Sequence, residues 1–280
     1  MAGKFPFRTR AKHHGVACLT NGSYLSSRQQ TFLRLAGVSF RILPSTNHAS
    51  PTGALPFLLP ARPQTAPIPS SKLQAYALEH GTSPIQQQQQ QQPPPLRQDA
   101  YQALLDLPLR NAWLHALYLD PAYTPLLDDF YTTPASSSTF VRDTLRRRLR
   151  RAAEAEILKT GSYISSAAAG TAVVDEARVL DAAREALGGL ASLLAESETG
   201  WFFDAPTPGL FDASVFAYTY LMVRYMSDGT DSGSSSRGKT HDDKAASSWS
   251  GLGDLVKSAG DGELAGHVRR VMEAVGWDGI

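Results

Sequence analysis

The sequence predicts a chain of two folded domains, a small α/β domain followed by an all-α domain. Three observations lead to this prediction. Before residue 86, short apolar runs alternate with stretches of helical periodicity; a run of glutamine and proline follows; beyond it, apolar residues recur at helical spacing. With 280 residues and 42% hydrophobic side chains, the chain is long and apolar enough to build both cores.

Shifts in composition predict the domain boundaries. We expect a basic flexible tail at residues 1–15, the α/β domain at residues 16–85 and a Gln/Pro-rich linker at residues 86–98. A run of seven glutamines and three prolines has no apolar side chains with which to build a core. The helical domain then spans residues 99–280, with a polar, disordered loop at residues 227–248.

In the α/β domain, strand and helix patterns alternate. Pro56 stands at the entrance of a short apolar strand, where a proline indicates a sheet edge or a special turn and is a candidate for a cis peptide. The helix that follows this strand is predicted to begin at a Ser70 cap and to end at Gly81. The preceding elements are a strand at 16–19, a helix at 23–37 that ends at Gly37, and a strand at 38–43.

In the helical domain, the stretch at 210–226 is apolar on nearly every side, which is typical of a helix at the centre of a core. Asp212 stands three residues after Gly209, a spacing at which its carboxylate reaches back to the backbone of the cap. Because glycine has no side chain, the reciprocal half of this capping box is missing. The other predicted helices lie at 99–118, 122–131, 139–159, 175–196 and 249–276.

Composition excludes some functions and suggests others. The single cysteine, Cys18, excludes an internal disulfide, and no run of about 18 apolar residues predicts a transmembrane helix. Nine Lys and Arg residues precede the first acidic residue, Glu79, so the first third of the chain is strongly basic. Such a surface attracts lipid headgroups, nucleic acid or an acidic protein, although a chance bias in a solvated face explains it equally well.

The order of the two domains, with one fully apolar central helix, is that of the glutathione transferase fold, in which a small thioredoxin-like domain precedes a helical domain. Two stretches are more specific. Residues 33–37 (LRLAG) and 50–57 (SPTGALPF) resemble the amino-terminal half of metaxins, in which a helix, a strand and a Ser-Pro-x-Gly-x-Leu-Pro-Phe segment follow one another. Residues 207–221 resemble the carboxy-terminal metaxin motif, with matches at Pro208, Asp212, Ala213, Val215 and Phe216. The family's usual Ser or Thr at the cap is replaced by Gly209.

The chain ends in VGWDGI after a polar helix, and in this it resembles the short, anchor-less fungal metaxins. That resemblance implies a peripheral subunit of the sorting and assembly machinery, on the cytosolic face of the mitochondrial outer membrane. The implied partners are the β-barrel core subunit, which it caps, a second metaxin-like subunit, and the β-barrel precursors whose β-signal it helps to engage. An anionic lipid surface is a further possible partner, and no cofactor is implied.

A glutathione-dependent enzyme is the alternative. Its site needs a thiolate-stabilising hydroxyl or thiol at the first helix, a strand-leading proline, and a Gln/Glu-Ser pair that opens a later helix. Pro56, after Leu55, supplies the second requirement, and Ser70 and Ser71 keep only part of the third. We therefore interpret these four residues as vestigial pocket positions and expect no catalytic residue. We expect the hydroxyls of Ser23, Tyr24 and Ser26 to act as caps at the start of a helix. We expect Cys18 to be a buried, inert thiol.

Other chemistry receives little support. The histidines have no metal-ligand spacing, so we expect no metal site. The arginine run at 146–151 lies within an amphipathic helix and lacks interleaved aromatic residues, which argues against nucleic acid. It is either a solvated face or a docking surface for an acidic partner or anionic headgroups. The candidate docking residues are Arg146, Arg147, Arg148, Arg150 and Arg151.

Overall fold

A computed structural model divides the chain into two compact units, residues 1–90 and 91–280. The first 14 residues, most of the predicted linker and nearly all of the predicted loop at 227–248 lie outside the described residues. The structure describes residues 15–19, 24–45, 50, 52–53, 55–61, 66–83, 95–160, 164–166, 172–227 and 251–276.

The first unit contains a four-stranded sheet with the order β2-β1-β3-β4. β1 runs parallel to β2, pairing Val16 with Arg41, and antiparallel to β3, which in turn pairs antiparallel with the short β4. This βαβ-ββα arrangement is thioredoxin-like, as the sequence predicts. Its elements are β1 (Gly15–Leu19), α1 (Tyr24–Leu35), β2 (Phe40–Pro44), β3 (Phe57–Pro60), β4 (Ile68–Pro69) and α2 (Ser70–His80).

The two helices of this unit end where the sequence places glycine. Gly37 has φ +74°, a left-handed conformation that glycine adopts without a Cβ penalty. Gly81 donates its N–H to Ala77 O (2.9 Å) and lies against the end of α1, where a Cβ would come within 2.2 Å of Ala36 O. Glycine at both positions therefore brings the ends of α1 and α2 together.

The predicted Ser70 cap is wrong. Pro69 occupies the N-cap position of α2 in an extended conformation (φ −69°, ψ 162°), and no side chain caps the helix. Ser70 is the first helical residue. Strand β4 ends at Pro69, and α2 begins at the next residue. The N-cap position, where a capping serine would stand, is therefore the last residue of the strand.

The second unit is helical. It begins with one long run in which α-helical and π-helical turns alternate, and Pro108 lies in the first π-helical segment. Its further elements include a two-stranded antiparallel sheet. The helices and strands are α3 (Pro95–Leu104), α4 (Arg110–Leu114), α5 (Thr124–Leu127), α6 (Thr139–Leu158), β5 (Ile164–Ser166), β6 (Ala172–Val174), α7 (Glu176–Ala195), α8 (Leu210–Tyr225), α9 (Leu252–Ser258) and α10 (Glu263–Val275).

The structure adds detail to the prediction at three points in this unit. Helix α3 begins at Pro95, within the predicted linker; proline is well suited to a first helical turn. The helical region predicted at 249–276 contains two helices, separated by residues with positive φ at Gly260, Asp261 and Gly262. The β5–β6 hairpin, whose strands have only three residues each, was not predicted.

Helix α8 lies at the centre of the second unit, as its apolar sequence predicts. Every residue from Phe211 to Met222 is buried. Ser214 and Thr219 satisfy their hydroxyls by donating to backbone carbonyls one turn back, at 2.8 and 2.9 Å. Among the described residues, no helix is long and apolar enough to cross a membrane.

Candidate functional site

The described residues of the 50–57 segment form a turn before β3. Gly53 donates its N–H to Ser50 O (3.2 Å) with φ +70°, and Thr52 donates its N–H to Ser50 Oγ (3.3 Å). The Leu55–Pro56 peptide bond is cis, and both residues are buried. The serine and glycine of this segment therefore shape the backbone, and Leu55 packs with Phe57 and Leu59 in one core cluster of the unit.

The amino terminus of α2 carries the other two candidate positions, Ser70 and Ser71. Ser70 is half-buried and Ser71 is exposed. No hydrogen bond to either hydroxyl occurs among the described residues, and no acidic residue lies in the first turn. The helix start thus offers hydroxyl and N–H groups to solvent, but it lacks the Gln or Glu that would accompany the serine in a γ-glutamyl site.

The described residues supply only part of what a glutathione-activating site needs. Ser26, the candidate hydroxyl that the structure describes, is 1% exposed, so it cannot meet a ligand from solvent. The side chains of Cys18, Ser23 and Tyr24 lie outside the described residues. Of the three features that the chemistry needs, the described part of the chain supplies the strand-leading proline and half of the γ-glutamyl pair, and no group that would stabilise a thiolate.

In the second unit, the buried carboxylate of Asp212, at the start of α8, accepts three hydrogen bonds. Its Oδ2 accepts the Gly209 N–H (2.9 Å), which is the half of the capping box that the sequence predicts. Its Oδ1 accepts the Phe202 N–H (3.2 Å) and the Nε2–H of His267 (3.0 Å). The carboxylate therefore joins α8, the loop before it and α10 at one point.

Sequence reasoning missed His267. Its side chain is fully buried, and its ring meets those of Phe202 and Trp201 edge-on at centroid distances of 5.1 and 6.0 Å. The signal was present, because residue 267 falls on the same helical face as the apolar Leu264 and Val268. A histidine on an apolar face needs a buried hydrogen-bond partner, and Asp212 is that partner.

The arginine run on α6 separates into two groups. Arg146 forms a two-pronged ion pair with Asp128 (3.1 and 2.7 Å), and Arg150 donates to Tyr118 O (3.1 Å) and Thr124 Oγ1 (2.8 Å). These two guanidiniums hold α6 against the preceding segment. Arg147 pairs with Asp143 one turn away.

Arg148 and Arg151 are exposed and have no ion-pair partner among the described residues. Near them, Phe140 is 80% exposed and Val141 is 41% exposed. The docking role of the run stays a prediction, and these residues are the part of α6 that is available for it.

Burial and charge act in opposite directions on Asp128. Burial works to raise the pKa of this carboxyl, but hydrogen bonds from Arg146 and Thr132 and the Arg146 charge outweigh it, so the pKa is lowered. The pair is structural. No group of three or more His, Cys, Asp or Glu side chains that could hold a metal ion occurs in the part of the chain that the structure describes.

Comparison with known proteins supports the fold. The family model of the glutathione S-transferase N-terminal domain matches residues 27–123. This match runs from α1 through α4, and together with the strand order and the helical second unit it identifies a glutathione-transferase-like fold. No curated protein matches the chain significantly.

Solved structures of glutathione transferases are similar at low identity. Glutathione transferase F7 from Populus trichocarpa is 12% identical, with 93% of this chain and 99% of that chain covered and a TM-score of 0.40. Glutathione S-transferase-I bound with lactoylglutathione is 13% identical (94% and 96% covered, TM-score 0.43). A glutathione S-transferase from Xanthobacter autotrophicus is 15% identical (74% and 81% covered, TM-score 0.36). A shared fold does not by itself specify a shared function.

Proposed function

We propose that the chain is a non-enzymatic, peripheral subunit of the mitochondrial outer-membrane complex that inserts and assembles β-barrel proteins. In this proposal it caps the barrel core on the cytosolic side, pairs with a second metaxin-like subunit and helps to engage the β-signal of precursors. The observation that carries the proposal is the 50–57 motif, whose polar residues are used in the turn before β3.

The described residues at the transferase-like positions favour an adaptor over a catalyst. In a glutathione transferase, the strand-leading proline and the helix-start hydroxyls hold a thiol close to a group that stabilises the thiolate. Here Ser26 is buried, and the helix start lacks one member of its pair. The metaxin-like motif at 207–221 is likewise structural, since Asp212 fixes the start of the buried helix α8.

Affinity purification tests the adaptor role. The tagged full chain is purified from detergent-solubilised mitochondria, with and without an alkaline carbonate wash of the membranes. The proposal predicts that an outer-membrane β-barrel protein and a second metaxin-like protein co-purify from untreated membranes, and that carbonate releases the tagged chain. Recovery of the chain without membrane partners contradicts it.

Electrostatic contact with the membrane is a separate part of the proposal. The basic first third and the exposed Arg148 and Arg151 fit anionic headgroups, at about 1 kcal/mol per cation close to the surface. Purified protein should float with anionic liposomes and dissociate as salt rises. Replacing Arg148 and Arg151 by Glu should weaken flotation, whereas Arg178→Glu, an exposed arginine on α7, is the matched control. Flotation that is absent at every salt concentration removes this contact.

A glutathione-dependent, transferase-like enzyme is the second candidate. The family match at 27–123 and Pro56 at the entrance of β3 favour it. Calorimetric titration with reduced glutathione and conjugation assays with 1-chloro-2,4-dinitrobenzene separate the two candidates. The adaptor proposal predicts no saturable binding and no turnover above the uncatalysed rate. Turnover that Ser71→Ala reduces would establish the enzyme instead.

A further inference from the structure

One edge of the sheet in the first unit is open and apolar. Strand β2 is the end strand of the order β2-β1-β3-β4, and its outer side pairs with no strand among the described residues. Arg41, Ile42 and Leu43 are all exposed, Ile42 by 39% and Leu43 by 51%. Because side chains alternate along a strand, Ile42 and Leu43 lie on opposite faces, so both faces are exposed at this edge.

The other edge of the same sheet is protected. Strand β4 has two residues, Ile68 and Pro69, and Pro67 precedes it. Short length and proline are the devices by which sheet edges avoid pairing with other chains, because proline offers no N–H to a new partner. Strand β2 has five residues and places Arg41, Ile42 and Leu43 in its middle. One edge is thus closed to strand addition and the other is open to it.

Charge determines which partner fits this edge. Residues 1–90 contain nine Lys and Arg residues and a single carboxylate, Glu79. Arg41 lies on β2 itself, and the Arg34 guanidinium lies 5.9 Å from the centroid of the Phe40 ring on the same strand. A second copy paired through β2 would bring two strongly basic surfaces together, which is unfavourable. An acidic partner would instead gain from the same field.

We propose that the outer edge of β2 binds an extended segment of another protein, in which apolar and acidic residues alternate, as a fifth strand of the sheet. The backbone of β2 supplies the ladder of hydrogen bonds, Ile42 and Leu43 supply apolar contacts on the two faces, and the exposed Arg41 supplies the attraction for carboxylates. The inference rests on β2 alone and does not depend on the proposed function.

Peptide binding to the full chain tests the inference. The probes are two fluorescein-labelled octapeptides, one alternating Val and Glu and one alternating Val and Lys, measured by fluorescence anisotropy. We expect the Glu peptide to bind at least tenfold more tightly than the Lys peptide. Arg41→Glu should reduce this preference at least tenfold.

Lysine on an edge strand blocks strand addition. Ile42→Lys and Leu43→Lys should therefore each weaken binding of the Glu peptide at least tenfold, although both changes add positive charge and would strengthen a purely electrostatic contact. Leu96→Lys is the matched control, since Leu96 is 80% exposed in the second unit, and it should bind as the unaltered chain does. Circular dichroism of each variant verifies the fold.

Three results would overturn the inference: no binding of the Glu peptide, equal binding of both peptides, or binding that Ile42→Lys and Leu43→Lys leave unchanged. Sedimentation provides a further test. A homodimer of the unaltered chain that Leu43→Lys dissociates would show that a second copy occupies this edge, against the inference.

Discussion

Replacing Asp212 is the most informative test of how the second unit is held together. Its carboxylate is 2% exposed and accepts three hydrogen bonds, from the Gly209 N–H, the Phe202 N–H and His267 Nε2. Asp212→Ala leaves all three donors without their acceptor, and two of these donors belong to the buried residues Phe202 and His267. Asp212→Asn keeps the shape and one carbonyl oxygen, but turns an amide N–H toward one of the donors.

The magnitudes follow from the number of donors that each variant leaves unpaired. A buried donor left unpaired costs about 1–3 kcal/mol, and the costs of donors that share one acceptor are not simply additive. We therefore expect Asp212→Ala to lower the free energy of unfolding by about 3–5 kcal/mol and Asp212→Asn by about 1–3 kcal/mol. For a domain with a stability of about 5–15 kcal/mol, the first loss is severe.

Urea unfolding followed by far-UV circular dichroism measures both variants. With a urea m-value of about 3 kcal/mol/M, Asp212→Ala should lower the midpoint by about 1–1.7 M. A double-mutant cycle with His267→Ala should give a coupling energy of about 0.5–3 kcal/mol. Asp181→Ala, which removes an exposed ion pair with Arg184 on α7, is the control and should cost about 0.5 kcal/mol. If Asp212→Ala lowers the free energy of unfolding no more than Asp181→Ala does, the Asp212 carboxylate does not hold these elements together.

Three further predictions concern single residues. Because the folded-state pKa of Asp128 is lowered, its ion pair contributes stability above the unfolded pKa of about 3.9 and loses it as pH falls through the lower folded value. The free energies of unfolding of Asp128→Asn and of the unaltered chain, measured with urea, should thus differ by about 1 kcal/mol at pH 7 and converge as the pH falls below the lowered folded-state pKa. Gly188→Ala, in the middle of α7 with open space around it, should raise the free energy of unfolding by about 0.5–1 kcal/mol. Gly81→Ala should lower it by about 1–3 kcal/mol, since the new methyl group meets backbone oxygen; equal effects of the two glycine changes would contradict the packing.

Long helices were predictable because their apolar residues repeat at a constant period. Helices α7 and α8 lie within one residue of the predicted ends, since each has a single uninterrupted pattern and a clear start. The break after α9 was not predicted, because the left-handed conformation of Asp261 leaves no periodic signal. The Ser70 cap failed because β4 continues to the residue before the helix, and Pro69 takes the cap position.

The candidate site was predictable only in part. Pro56 and the Asp212–Gly209 contact follow from local spacing, which the sequence displays directly. The partner of Asp212 on α10 is 55 residues away, so its identity depends on tertiary packing. The separation of the arginine run into bound and exposed members likewise depends on where Asp128 lies in space, which helical periodicity does not specify.

Assembly of β-barrel proteins in isolated mitochondria is the decisive test of the proposed adaptor role. Mitochondria depleted of this chain are incubated with a radiolabelled β-barrel precursor, and the assembled form is resolved by native electrophoresis. If the chain is an adaptor of barrel assembly, depletion should slow the assembly of the barrel and leave the import of a matrix-targeted precursor unchanged, and the re-expressed chain should restore assembly. Barrel assembly at the normal rate in depleted mitochondria would rule out this role.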